Sequence, residues 1–129
     1  MAHIWVDLQV VLAIHDEQIA EHGGASGVRD RGLLESALAR PQNLLAYGES
    51  DLADLAVAYT QAIARNHPFV DGNKRTAWAV AETFIELNGH EIDADDASIY
   101  PEMLALAEGR IEEWEFAAWL RARCKSRKS

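Results

Sequence analysis

The run His67-Pro68-Phe69-Val70-Asp71-Gly72-Asn73-Lys74-Arg75 places an imidazole, a carboxylate, a carboxamide and two cations in one short stretch. Gly72 can take a positive φ, and Pro68 stiffens the approach. An apolar helix begins at about Asn73 and continues to Leu87. The free N–H groups of its first turn point toward Asp71 and Gly72, with the positive end of the helix dipole behind them, an arrangement that receives anions. Lys74 and Arg75 stand in that same turn, where cations oppose the dipole and Asp or Glu is the usual choice. A phosphate docking there would relieve the conflict.

Each residue taken alone has an ordinary explanation. A His beside a loop is commonly a surface or capping residue, and Asp-Gly-Asn is common turn and N-cap vocabulary. The combination asks for more, because capping needs neither a nearby imidazole nor two consecutive cations. Phosphoryl transfer needs a base, a metal-binding carboxylate and a phosphate cradle. Hydrolysis on Zn2+ or Fe held by His67 and Asp71 is the weaker reading: two ligands are too few, and no His-Glu-x-x-His motif completes the set. A binding module that keeps the cradle without catalysis is a third reading. The intact His67 and Asp71 argue against it.

The nine-residue run resembles the Fic/Doc signature, His-x-Phe-x-(Asp/Glu)-(Gly/Ala)-Asn-(Gly/Lys)-Arg, with every fixed position filled. Lys74, where AMP-transferring members carry Gly, is similar to the death-on-curing (Doc) toxin branch. So are Gly23-Gly24, the segment Gly27 to Ala37 and the helix end Leu87-Asn88-Gly89, so that the resemblance runs from about residue 5 to residue 121. It implies a compact all-α Fic-like domain over residues 1–123, with a flap, a short β-hairpin or loop over the active site, at residues 41–47. It also implies Mg2+ and ATP as cofactors. A nucleoside triphosphate seated on the helix start gives every motif residue a role. Asp71 becomes the metal ligand, since Mg2+ keeps several waters and bridges phosphates. Gly72, Asn73, Lys74 and Arg75 hold phosphate oxygens, and His67 accepts a proton from the attacking hydroxyl.

At 129 residues the chain is long enough for one domain with a real core. It has no run of eighteen apolar residues and no signal-like N-terminus, and its single cysteine, Cys124, allows no internal disulfide. A cytoplasmic location is expected, with no membrane partner. The net charge of -9 conceals an asymmetry, because Arg121, Arg123, Lys125, Arg127 and Lys128 lie together at the C-terminus. Residues 1–120 hold seven positive against 21 negative groups, or -14. So acidic a surface argues against direct nucleic-acid binding. The basic residues 124–129 are expected to be a fraying, disordered helix end.

Apolar periodicity predicts helices over Asp7 to Glu21, Arg31 to Arg40, Leu52 to Arg65, Asn73 to Leu87, a segment from Asp95 or Asp96 to about Glu108, and Glu112 to Arg123. Pro41 is expected to end the second, and Pro101 is tolerated in the fifth if it lies in the first turn. The third and fourth are the most apolar and should form the central pair, joined by the motif. His15 and His22 are expected to serve core packing and the helix dipole, not ligation.

The resemblance implies the toxin of a toxin–antitoxin pair, transferring the γ-phosphate of ATP to a protein hydroxyl, with elongation factor Tu as a candidate target and a block of translation as the effect. AMP transfer is the alternative. Two departures from the AMP-transferring pattern favour the kinase reading: Lys74 in place of Gly, and Trp78 where that branch has a second Arg. The inhibitory Ser/Thr-x-x-x-Glu-(Gly/Asn) helix of many Fic enzymes has no good copy here. Ser98 to Glu102 supplies only the first half, and Glu108-Gly109 only the second. Inhibition in trans by a cognate Phd-like antitoxin is therefore expected.

Overall fold

The computed structural model describes residues 2–127. Six helices and two short strands follow in order: α1 (Leu8–His22), α2 (Arg31–Tyr47), α3 (Leu52–Asn66), α4 (Asn73–Leu87), β1 (His90–Ile92), α5 (Asp96–Ala107), α6 (Glu113–Arg123) and β2 (Cys124–Ser126). The all-α reading holds, with a two-stranded addition. Each helix start follows its local chemistry: the side chains of Asp7, Asp30, Asp51 and Asp95 accept from the third amide onward, and Asp51 with Asp54 completes a capping box.

Helix α3 is buried from Leu55 to Ala64 and forms the centre. Its alanines let α4 approach closely, and α2 and α6 cover its other sides. Tyr59, Phe84 and Phe116 fill the joints between these helices, all of them fully buried. The central pair is thus α3 and α4, and the motif is the short connection between them.

Three expectations are corrected. Pro41 does not end α2: the helix runs through it to Tyr47, so no hairpin flap lies at residues 41–47. A proline inside a helix costs about 3 kcal/mol. Here Leu34, Ala37 and Pro41 are buried on one stripe that Leu38, Leu44 and Leu45 continue, and burying the second half of that stripe outweighs the lost hydrogen bond. Pro101 likewise sits in the second turn of α5, with Ile99, Met103 and Leu106 buried around it. The basic end does not simply fray. Cys124 to Ser126 pair antiparallel with β1, in the register His90 to Ser126 and Ile92 to Cys124. Lys128 and Ser129 lie outside the described residues.

Candidate active site

Helix α3 stops at His67, which takes a left-handed conformation (φ 50, ψ 54), the one non-glycine residue with positive φ among those described. Such a conformation is uncommon outside glycine and is held by its surroundings. Arg29 does much of the holding, with Nε donating to the His67 carbonyl at 2.7 Å and Nη2 to that of Asn66 at 3.0 Å. The loop before α2 adds a second clamp. The amides of Arg29 and Asp30 donate to the Pro68 carbonyl, and the Val70 amide donates to Gly27. The imidazole of His67 remains exposed.

Below that exposed ring the motif is anchored from inside. Phe69 is 1% exposed and lies face to face on His15 of α1, with ring centroids 3.9 Å apart. His15 Nε2 donates to the Asp71 carbonyl at 2.8 Å. Core packing for His15 was half the answer, because the ring also ties α1 to the motif. The Asn73 carboxamide closes the loop on itself: Oδ1 accepts from the Phe69 amide at 2.9 Å and Nδ2 donates to the Phe69 carbonyl at 3.0 Å. Its amide orientation is therefore settled by bonding, and Nδ2 is the atom facing His67 Nδ1 at 3.4 Å, a long contact. With the side chain so engaged, Asn73 faces any phosphate through its backbone N–H.

That N–H belongs to a row. Gly72 precedes α4 in the left-handed region (φ 73) and offers no side-chain cap. The first amide to find a helical acceptor is that of Thr76, which donates to Gly72, so those of Asn73, Lys74 and Arg75 have no acceptor among the described residues. Neither Lys74 nor Arg75 is in an ion pair within those residues. All three of these residues, with His67, Val70, Asp71, Gly72 and Tyr100, line an open cleft of about 340 Å³. Uncapped amides and unpaired cations around one space are the chemistry that would receive an anion.

The Asp71 carboxylate stands at the edge of the same cleft. Oδ1 accepts from the Gly72 amide at 2.9 Å and Oδ2 from the Ala25 amide at 3.3 Å. Lone pairs remain for a cation. A Cβ on Gly24 would come within 2.8 Å of Oδ2, so the glycine, at φ +116, leaves the room the carboxylate occupies. Among the described residues no three His, Cys, Asp or Glu side chains gather to hold a metal by protein alone. One exposed carboxylate beside an anion cradle fits Mg2+ shared with phosphates, an ion that takes few protein oxygens.

A second cleft of about 310 Å³ adjoins the first, since Arg75 and Tyr100 line both. Trp78 forms its floor, with an indole Nε1 that is buried and has no partner, and Glu21, Glu82 and Asp96 stand around it. Burial, then the nearby Glu86 and Asp96, push the Glu82 carboxyl above its ordinary range.

Residues 5–85 match the model of the Fic/DOC family, a span that includes the whole motif and most of α4. The chain is also 36% identical to the Protein kinase doc of Escherichia phage P1 over 112 residues, covering 86% of this chain and 88% of that one. The chain belongs to the Fic/Doc family. A further family member, Toxin Doc of Mycolicibacterium smegmatis, is 54% identical over 76 residues, a match that spans 57% of this chain and 58% of the relative. The structure brings all six predicted motif residues of this Fic/Doc protein to one cleft. It adds three supports that sequence reasoning missed. Arg29 lay inside the family-like segment but had no assigned role. His15 looked like any polar residue on an apolar face, and Tyr100 reaches the cleft only because α5 packs beside α4. No helix among the described residues is long and apolar enough to cross a membrane.

Proposed function

We propose that this protein is the toxin of a toxin–antitoxin pair and that it transfers the γ-phosphate of ATP to a Ser or Thr hydroxyl of a protein, with elongation factor Tu as the candidate target and arrested translation as the result. The observation that carries the reading is the row of free amides at Asn73, Lys74 and Arg75, unpaired cations included, in one cleft with His67 and Asp71. The names of the two relatives, a toxin and a protein kinase, support it.

In this reading the amides and cations at the start of α4 hold the γ-phosphoryl oxygens and offset the charge that spreads over them in the transition state. Asp71 would hold Mg2+, which when bound neutralises phosphate charge. His67 takes the proton of the attacking hydroxyl as its oxygen bonds to the γ-phosphorus; the bond from that phosphorus to the bridging oxygen breaks, and ADP leaves. The Asn73 Nδ2 donor faces His67 Nδ1 at 3.4 Å, a contact too long to hold the ring in one tautomer.

Two features favour this orientation over AMP transfer. Lys74 fills space beside the α4 backbone, and Trp78 replaces the second Arg of AMP-transferring members. The cleft around Trp78 carries Glu21, Glu82 and Asp96, carboxylates that would repel a polyphosphate but tolerate an uncharged nucleoside. Control by an antitoxin acting in trans is supported by the name of the relative Toxin Doc.

The test is label transfer to purified elongation factor Tu in Mg2+. Label from γ-labelled ATP should appear on the target, and label from α-labelled ATP should not. The reverse pattern would establish AMP transfer in place of the kinase reading. No label from either, with antitoxin-free protein, would leave a binding module.

A further inference from the structure

Of the seven cations in residues 1–120, four are engaged: Arg29 on backbone carbonyls, Arg31 with Glu35, Arg40 with Glu113 and Arg110 with Glu108. Lys74 and Arg75 line the active-site cleft. Arg65 is the remaining one, in no ion pair among the described residues despite an acidic chain around it, and it lines a separate cleft of about 310 Å³ between α2 and α3. Arg40, Asn43, Gln61 and Asn66 share that cleft, and Glu113 closes one end.

Gln61 shows that the cleft has an unused donor, and Arg40 that it has charge left over. Gln61 is 8% exposed, yet its carboxamide makes no hydrogen bond within the described residues. Arg40 gives Nη2 to Glu113 at 3.0 Å, while its Nη1 is buried without an acceptor. Nη1 is closed off from the cleft, so it is the accessible part of the Arg40 side chain, 40% exposed, that can meet an acceptor there. Glu113 indicates which acceptor suits the place, since a carboxylate already docks on the same guanidinium. With two arginines against one glutamate, the cleft keeps a net positive charge. Its volume is at the small end for ligand sites, which suits a single side chain.

We propose that the α2–α3 cleft is a docking pocket for an acidic side chain, aspartate or glutamate, of a protein that binds this one. Arg65 supplies the free cation, Arg40 a second, and Gln61 an amide donor; it is the two guanidinium charges that distinguish a carboxylate from a neutral group. The pocket ends at Asn66, whose Nδ2 is fixed to the Leu33 carbonyl and whose chain neighbour is His67. A partner anchored here is held beside the exposed imidazole. The assignment does not depend on which phosphate is transferred, or on transfer at all.

The experiment is an NMR titration of the full-length 15N-labelled protein, reading the Gln61 side-chain amide and the Arg40 and Arg65 Nε–H signals. The probes are N-acetyl-glutamate-N′-methylamide, its glutamine counterpart, glutarate and inorganic phosphate. The blocked glutamate should give saturable shifts and the blocked glutamine none. Arg65→Gln should weaken binding by about fivefold, and Glu113→Gln, which removes the competing carboxylate, should tighten it by about threefold. Lys125→Gln, beyond the opposite end of α6 from Glu113 and outside the cleft lining, should leave it unchanged, and thermal unfolding of each variant checks the fold. Equal binding of the glutamine probe, tighter binding of phosphate or glutarate than of blocked glutamate, or no saturable shift in both the native chain and Glu113→Gln would overturn the proposal.

Discussion

His15 donates a hydrogen bond from Nε2 to the carbonyl of Asp71 at 2.8 Å, across 56 residues of chain. The bond joins the middle of α1 to the turn that presents the proposed metal ligand, and the stack of His15 on Phe69 fixes the same turn from the side. His15→Phe would keep an aromatic face against Phe69 and remove the donor. Stability should fall by about 1 to 2 kcal/mol, the cost of leaving a part-buried carbonyl unpaired. Phosphate transfer should fall more than about tenfold, because the Asp71 turn is then less well positioned. Unfolding curves and transfer rates measured together check this, and full activity in His15→Phe would show that the bond has no positioning role.

His67 is held left-handed at φ 50, a region that penalises every residue with a Cβ. His67→Ala and His67→Gly should both lose transfer by about 100-fold or more, since each removes the proposed proton acceptor. The glycine variant should be the more stable of the two by about 1 kcal/mol, as only glycine occupies this region without strain. Equal denaturation midpoints for the two variants would mean that the backbone here is not strained.

Gly24 leaves room for Asp71 Oδ2, which a Cβ would approach to 2.8 Å. Gly24→Ala should displace the Asp71 carboxylate and strain the φ +116 backbone while every motif residue keeps its identity. The expected result is a higher Mg2+ requirement for half-maximal transfer, in the same direction as Asp71→Asn but smaller. An unaltered metal titration in both variants would exclude Asp71 as the ligand.

Arg121 joins α6 to the start of α3 by bonding both Asp51 oxygens and Asp54. The Arg121 guanidinium holds the Asp51 carboxyl down to about 2 from its ordinary value of 3.8. Because the folded value lies below the unfolded one, the stabilisation is fully present above about pH 4 and is lost as pH falls through about 2. Both side chains are about half exposed, so screening limits the contribution to about 1 kcal/mol. Arg121→Ala should lower stability by that amount at pH 7 and by progressively less between pH 4 and 2. Unfolding free energies across that range check it, and a loss independent of pH would point to packing alone.

What the sequence determined by itself is local. The Asp7, Asp30, Asp51 and Asp95 caps, the Gly72 break before α4 and the crowding of His67, Asp71, Lys74 and Arg75 are legible because each depends on residues within a turn or two. The all-α class and the α3–α4 centre are legible for the same reason, since an apolar period of 3.6 is a local pattern. Tertiary structure decided the rest. Pro41 reads as a stop until the burial of Leu44 and Leu45 against the core is counted, and that burial depends on elements distant in the chain. Cys124 to Ser126 become a strand only because His90 to Ile92 lie beside them. Asn73 resembled a phosphate ligand by its chemistry, but Phe69 claims its carboxamide. His15 and Arg29 support the site from 56 and 38 residues away, and no periodicity or spacing marks such a contact. A hydrogen bond between distant segments is specified only once packing brings donor and acceptor within about 3 Å.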